Sequence, residues 1–473
     1  MISGEQEIRV RFAPSPTGYL HIGGARTAIF NWLFAKRYHG EFLLRIEDTD
    51  AYRSDLALVE QITGALKWLG IDWYSDIIYQ SDRTSRYKSC AEELVEQGKA
   101  YRCYCSKERL AENKRNFGYN GRCRNLTQDE IDKYRDENKP YAIRLKIEDG
   151  ETRYRDEVYG SLKFNNAELD DFVILKSDGR PTYHLAVVVD DHDMNISHVI
   201  RGADHVSNTP KQILLYRAFN WSIPSFTHVP LIMGSDGKRL SKRHGATSVL
   251  EYRKKGYGPD TIFNFLALLG WSPGDDREII TRDELINSFT LEKISKNNAI
   301  FDEKKLQWMN GQYIGQKTNE DIVEIIIPLL REQGLIEGDQ VDVDYLLKVV
   351  DLFKQKVRFY SDFGELGSYF FKDPPVYDEK AQKKHWKNER TIDWLRSLKD
   401  ELEKVAIFTE LAIEEAVRGL AERLGVGAGK LIHPARLALT GYAVSPGLFE
   451  MMEVLGKSVV LDRISKAIAY LET

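Results

Sequence analysis

Cysteine is scarce in this chain: four thiols among 473 residues, too few for the disulfide framework of a secreted scaffold. No run of about 18 apolar residues occurs, so no membrane-spanning helix is expected. The amino-terminal segment carries Glu5 and Glu7 where a secretory leader would have an apolar stretch. Internal repeats and low-complexity tracts are missing too. Nor is there an excess of positive charge. Lys and Arg number 67 against 72 Asp and Glu, a formal charge of −5, which argues against a small, uniformly basic nucleic-acid binder. These absences leave a soluble, cytoplasmic protein as the expectation.

What is present supports a large folded chain. Hydrophobic residues make up 42% and charged residues 29%, enough for a sizeable core and too apolar for wholesale disorder. The length allows roughly three domains. Positive charge is local rather than absent. Residues 101–124 hold seven Lys or Arg against two Asp or Glu, and residues 236–255 hold the same seven against two. The rest of the chain is correspondingly acidic, and those two segments are where phosphates would be met.

The first hundred residues alternate in type. Ile8–Phe12 reads as a strand, and Ala13–Gly18 is turn chemistry. Apolar residues at helical spacing run from about Gly24 to Arg37, and Glu41–Glu47 forms a second strand. Asp48–Asp50 offers N-cap residues for a helix through Leu56, Val59, Ile62 and Leu66. This is the pattern of a doubly wound α/β unit. After Tyr101 it breaks into a Cys-bearing, charged segment of mixed α and β character. Buried-strand runs are then expected at Asp171–Lys176, Thr182–Val189 and His198–Ile200, so an insertion of roughly ninety residues interrupts a parallel sheet. Past Gln316 almost every segment reads as amphipathic helix.

Two segments carry chemistry. His21-Ile22-Gly23-Gly24 follows a strand and a Pro/Gly-rich turn and opens a helix. Unpaired N–H groups and a positive dipole end suit such a place to polyphosphate, and glycines permit close backbone approach. Alone, it is equally an ordinary loop with a structural histidine. More than two hundred residues later comes Lys238-Arg239-Leu240-Ser241-Lys242-Arg243, four cations in six residues. Such a cluster could stabilise charge on a pyrophosphate leaving group; alone it is a solvated basic loop. In this order, each at a strand-to-loop junction, the pair is far more specific.

The pair resembles the two signatures of class I aminoacyl-tRNA synthetases. Arg11–Gly18, Arg45–Asp50, Pro181-Thr182-Tyr183-His184, Val188–His192, Val199–Gly202 and Asn208-Thr209-Pro210 resemble the glutamyl-tRNA synthetases within that class. The resemblance extends through Trp308–Gly311 to Leu439-Thr440-Gly441, essentially the whole chain. It implies a Rossmann-like α/β catalytic domain at 1–100 and 181–235, and an inserted α+β subdomain at 101–180 for the tRNA acceptor end. A region at 236–318 would carry the catalytic loop and touch the tRNA stem. An all-α anticodon-binding region at 319–473, split near 384, would follow.

The resemblance also implies roles. L-Glutamate presents two carboxylates and an ammonium, and Arg grips a carboxylate bidentately. Arg11 and Arg201 would handle carboxylates, Tyr183 would add a hydroxyl, Ser15 with Glu47 would meet the ammonium, and Ala13 would line the substrate pocket. ATP, with Mg²⁺, would lie across His21, Gly23, Gly24, Asp204 and Ile232, with Arg239, Leu240, Ser241, Lys242 and Arg243 closing over its phosphates. His21, Arg239 and above all Lys242 would stabilise the transition state. The partner would be tRNA(Glu), with Arg358 near the third anticodon base, and the enzyme a monomer. Two departures stand out: Ala203 where many relatives carry an acid, and Val187 where some carry Asn near the substrate.

Cys103, Cys105 and Cys123 lie within 21 positions, whereas Cys90 stands apart. Three thiols are one short of a four-coordinate structural zinc site. Some relatives follow C-x-C with Y-x-x-x-C, which makes Tyr119 the fourth candidate; zinc and a metal-free reduced segment both remain open. Gly425–Lys430 imitates a phosphate loop but has Leu424 and Leu431 where that motif needs Gly and Ser/Thr, so it reads as a helix–helix connection. Glutaminyl-tRNA synthetases share the catalytic motifs but typically end in β-barrels. A non-discriminating enzyme that also charges tRNA(Gln), and an inactive tRNA-binding paralogue, are the alternatives.

Overall fold

The fold was analysed in a computed structural model that describes residues 7–49, 55–106, 108–110, 119–240, 248–338, 341–374 and 376–473. The chain divides into two compact units, residues 1–254 with 258–306, and residues 255–257 with 307–473.

In the first unit, β1 (Arg9–Phe12) runs parallel to β2 (Glu41–Ile46), and β2 parallel to β3 (Ile78–Tyr79). The inserted segment contributes β4 (Ala100–Cys103), β5 (Ala142–Leu145), β6 (Glu151–Asp156), β7 (Gly160–Asn165) and β8 (Val173–Leu175). β9 (His198–Gly202) runs parallel to β10 (Ser225–Val229). Ser197, just before β9, donates its N–H to the Arg9 carbonyl at 2.9 Å, which sets β9 beside β1. β1 and β2 are buried on both faces, as a parallel sheet covered by helices must be. Helix α1 (Ile22–Arg37) is accordingly buried nearly all round, and Asn31 on it reaches the sheet, its Nδ2 donating to the Ile200 carbonyl at 3.0 Å. A doubly wound architecture results, as the alternation of strand and helix implied.

The insertion is not an independent appendage. β4, β5 and β8 form a small antiparallel sheet, and Ile143, Leu145 and Ile174 share one core with Tyr87, Leu94, Leu185 and Val188. β6 runs parallel to β10, with Asp156 opposite Phe226, and β7 closes the edge. Cys90 belongs to this core, where burial pushes its thiol up to about 11.

Two local expectations are corrected. Residues 182–189, expected as a strand, begin the helix Tyr183–Asp193. Leu185 through Asp191 are all buried, so this helix has no polar face to display a 3.6-residue period, and a short apolar run then looks like a strand. The helix Leu56–Trp68 is capped by Asp55, whose side chain accepts from the Ala57 N–H at 2.9 Å, rather than from 48–50. Asp48 instead accepts from the Ser81 N–H and hydroxyl, at 2.8 and 2.6 Å; Asp50 lies outside the described residues.

The second unit contains no strand among its described residues. Its helices include Asn319–Glu332, Val343–Phe353, Thr391–Glu403, Glu410–Arg423, Gly429–Thr440 and Lys457–Glu472, packed on Ile322, Val349, Leu398, Val417, Leu439 and Ile464. Residues 425–428 join two of these helices, as expected of the false phosphate loop. No helix among the described residues is long and apolar enough to cross a membrane.

Candidate active site

A cleft of about 1350 Å³ opens where β1, β2 and β9 end, over the start of α1. The strand-to-helix turn after β1 supplies Ala13, Ser15, His21, Gly23 and Gly24 to its lining. His21 is the N-cap of α1 in extended conformation, and its Nδ1 accepts from the Gly24 N–H at 3.2 Å. With that lone pair engaged, the neutral ring carries its proton on Nε2 and presents a donor. Burial, then the Arg239 charge, lowers the His21 pKa, although the side chain keeps an exposed edge in the open cleft. A Cβ on Gly23 would come within 3.1 Å of that ring, so glycine is what lets the imidazole fold across the helix start.

The basic segment forms a short hairpin: the Leu240 N–H donates to the Ile232 carbonyl at 3.0 Å and the Gly234 N–H to the Lys238 carbonyl at 2.8 Å. Arg239 pairs with Asp204 at 3.0 Å, both exposed at the cleft. Ser241, Lys242 and Arg243, expected to close over phosphates, lie outside the described residues. Both flanks of that stretch meet the cleft. Leu240 lines it, and Ser248 forms a bridge with His21, while the Val249 N–H donates to the Leu20 carbonyl.

Two buried arginines from adjacent strands face the cleft in opposite states. Arg11 on β1 forms a fork on Asp191, Nε to Oδ1 at 2.9 Å and Nη2 to Oδ2 at 3.2 Å. Arg45 on β2, fully buried, donates to the same Asp191 Oδ1 at 2.6 Å and to Glu47 at 3.2 Å. Asp190 accepts from Gln80, Arg83 and Tyr87 behind them. Arg201 on β9 differs. Its Nε donates to His228 Nε2 at 3.2 Å, and its Nη2 to Thr209 and Gln212 at 2.7 and 2.8 Å. All three acceptors are uncharged, and Nη1 is buried with no partner among the described residues. Burial lowers the Arg201 pKa.

Glu47, its N–H held by the Pro14 carbonyl at 3.0 Å, is raised above the ordinary carboxylate value by burial, against the opposing pull of Arg45 and Arg11. Tyr183 opens its helix with its hydroxyl 3.0 Å from His205 Nδ1. Asn208 Nδ2 approaches the same nitrogen at 3.2 Å, so Nδ1 is the acceptor and Tyr183 the donor. Burial lowers His205 to about 4, which keeps it neutral. Arg358 sits in the second unit and is exposed; its N–H donates to Asp362 Oδ2 at 2.7 Å and its carbonyl accepts from Asn310 at 2.6 Å.

The thiols of Cys103, Cys105 and Cys123 converge, all three sulfurs lying within 4.8 Å of one another. Cys105 and Cys123 are 3.6 Å apart, close to the edge of a tetrahedron of sulfurs about 2.3 Å from a central zinc. The Tyr119 hydroxyl reaches Cys103 at 3.5 Å and accepts from the Cys123 N–H at 3.1 Å. A hydrogen bond from Cys123 holds the Cys103 thiol below its ordinary value.

All the cleft residues expected from the sequence and described here line one cavity, and the four metal candidates meet elsewhere. Sequence reasoning missed Arg45, Asp191, His205, His228 and Asp156. The signal for the first two was present: an Arg inside the apolar strand Phe42–Ile46, and paired acids ending the apolar run at Asp190-Asp191.

Comparison with known proteins gives a consistent result. Residues 7–308 match the family model for tRNA synthetases class I (E and Q), catalytic domain, and residues 321–468 match an anticodon binding domain. The chain is 46% identical to glutamate–tRNA ligase 1 of Caldanaerobacter subterraneus subsp. tengcongensis over 98% of both chains. It is also 46% identical to glutamate–tRNA ligase 2 of Thermoanaerobacter pseudethanolicus, over 98% of this chain and 99% of that one. The solved glutamate tRNA ligase of Elizabethkingia meningosepticum, in complex with its amino acid, superposes with a TM-score of 0.91 at 36% identity, covering 98% of this chain and all of the other.

Proposed function

Because the chain belongs to the glutamate–tRNA ligases of class I, we propose that the cleft is where it activates glutamate, and we assign roles to its residues on that premise. The enzyme activates L-glutamate with ATP and transfers it to the 3′-terminal ribose of tRNA(Glu). A glutamate α-carboxylate oxygen attacks the α-phosphorus, and the bond to pyrophosphate breaks. A hydroxyl of the terminal ribose then attacks the glutamyl carbonyl and AMP leaves. Both steps need positioning and charge stabilisation more than a dedicated base.

The observation that carries the assignment is Arg201: a buried guanidinium at the cleft with, among the described residues, no carboxylate partner and no partner for Nη1. A buried donor left unpaired costs about 1–3 kcal/mol, which an arriving carboxylate relieves. An amide is the poorer partner because it lacks the charge and turns NH₂ donors towards a donor. Arg11 takes a carboxylate with the edge its fork on Asp191 leaves open, Tyr183 and Ala13 line the side-chain pocket, and Glu47 with Ser15 receives the ammonium. His21 Nε2, Gly23, Gly24, Asp204, Ile232 and Leu240 hold ATP, while Arg239 and, beyond the described residues, Ser241, Lys242 and Arg243 meet the phosphates. Mg²⁺ comes with ATP, the phosphate oxygens being its natural ligands.

Cys103, Cys105, Cys123 and Tyr119 would hold one structural zinc, whose chemistry there is to tie the two ends of the Cys-bearing segment together. Metal analysis is expected to find one zinc per chain, lost in Cys103→Ser; zinc-free protein with a fully active variant removes this assignment. Arg358 remains the residue proposed near the third anticodon base, within a soluble, cytoplasmic, monomeric enzyme.

Glutamate-dependent ATP–pyrophosphate exchange in the presence of tRNA tests the whole reading. Arg201→Met should abolish it at ordinary glutamate concentrations, and saturable exchange with unchanged glutamate KM would refute the Arg201 assignment. Lys242→Ala should cut adenylate formation by orders of magnitude while tRNA binding persists.

A further inference from the structure

Arg201 does not stand alone in the wall of the cleft. It lies opposite His228 in the β9–β10 register, and Asp156 lies on β6, the next strand across. All three side chains are buried. Guanidinium has only donors, so the Arg201 Nε–H at 3.2 Å makes His228 Nε2 the acceptor. A neutral imidazole then carries its proton on Nδ1, which faces Asp156 Oδ2 at 2.6 Å. Asp156 is itself fixed: Oδ1 accepts from the Val158 and Tyr159 N–H groups at 3.0 and 2.9 Å, and Oδ2 also accepts from the His228 N–H at 3.2 Å. Burial lowers the His228 pKa, in keeping with a neutral ring.

We propose that Asp156 and His228 form a positioning relay for Arg201, which fixes the His228 tautomer and holds the guanidinium in place without a carboxylate in contact with it. The inference rests on Arg201 binding a glutamate carboxylate. Its consequence is specificity. A carboxylate set directly against Arg201 would neutralise it, as Asp191 does Arg11, and would weaken the preference for an anionic substrate. The relay puts the compensating charge one imidazole away and leaves Nη1 for the ligand. It also gives the inserted segment a share in the glutamate pocket, since β6 belongs to the insertion.

The tautomer provides a test that needs no catalysis. Imidazole ¹⁵N shifts of the substrate-free protein, with His228 assigned by its loss in H228Q, should show protonated Nδ1 and unprotonated Nε2. A charged ring, or a proton on Nε2, overturns the proposal whatever the activity. Kinetics separate the relay from simple packing. In D156N the new amide either keeps its oxygen on the backbone N–H groups, turning NH₂ towards His228 and forcing the wrong tautomer, or loses those bonds. Glutamate KM should rise about tenfold to a hundredfold, the loss met when a group that orients a metal ligand is removed, with ATP KM unchanged. H228F, which offers neither donor nor acceptor, should cost a similar factor. H228Q, whose amide can do both jobs, should cost distinctly less. Equal losses in H228Q and H228F, or an unchanged glutamate KM in folded D156N, refute the relay. Should D156N not fold, the wild-type tautomer and the two His228 variants decide. A wild-type enzyme with the expected tautomer but no glutamate-dependent exchange would fail the functional reading and leave the geometry standing.

Discussion

The two walls of the cleft hold their arginines in contrasting ways. On the Arg11 wall, Arg11 and Arg45 share Asp191, with Asp190 and Glu47 close by. On the Arg201 wall, a buried guanidinium has a hydroxyl, an amide oxygen and a neutral imidazole as its hydrogen-bond partners among the described residues. The first arrangement is a scaffold of paired charges that leaves only one edge of Arg11, and Glu47, to face the cleft, and no charge in it can be removed singly without leaving a buried orphan. On the function proposed above the second is a receptor, whose charge awaits an anion. The difference teaches that burial and charge do not mark a binding residue by themselves; what sets Arg201 apart from Arg11 and Arg45 is that no anion among the described residues pairs with it.

The largest effect should come from breaking the scaffold. Asp191→Asn leaves two buried guanidinium groups short of their common anion and should cost about 3–5 kcal/mol of stability, read from urea or thermal unfolding. A loss below about 1 kcal/mol would mean the pair behaves like an exposed one, and the contrast would collapse. Arg201→Met sharpens it from the other side. Stability should stay level or rise, because an unmatched charge leaves the interior, while glutamate binding is lost; a loss of stability as large as that of Asp191→Asn would make both walls scaffolds.

A smaller effect concerns Glu47, which touches the scaffold but faces the cleft. Burial raises its pKa, and the ionised form is the one that pairs with ammonium. Glutamate affinity should therefore climb with pH through that raised value and level off above it, since bound ammonium pulls the group back towards ionisation. The slope should vanish in Glu47→Gln, with a uniformly higher KM. A wild-type profile that is flat from the ordinary carboxylate range upward would remove Glu47 from the ammonium site.

Much of the site was legible where function is contiguous in the chain. The turn after β1 declares itself through His21, Gly23 and Gly24, because a helix start that receives phosphate needs a donor and bare backbone side by side. The thiols announced their cluster through spacing. The helix Tyr183–Asp193 was misread, since periodicity vanishes when every face is buried. His228 and Asp156 were illegible for another reason: His228 works on an arginine 27 positions away and Asp156 on a histidine 72 positions away, and no local pattern encodes a distant hydrogen bond.

The sequence by itself determined the α/β beginning, the helical end, the family and the residues that line the cleft, because local propensity and short motifs are properties of neighbouring residues. Only the tertiary structure decided which of two buried arginines is already neutralised and which is left waiting. Electrostatic balance inside a protein depends on which side chains the sheet brings within about 3 Å, and that is set by strand order and register rather than by position along the chain.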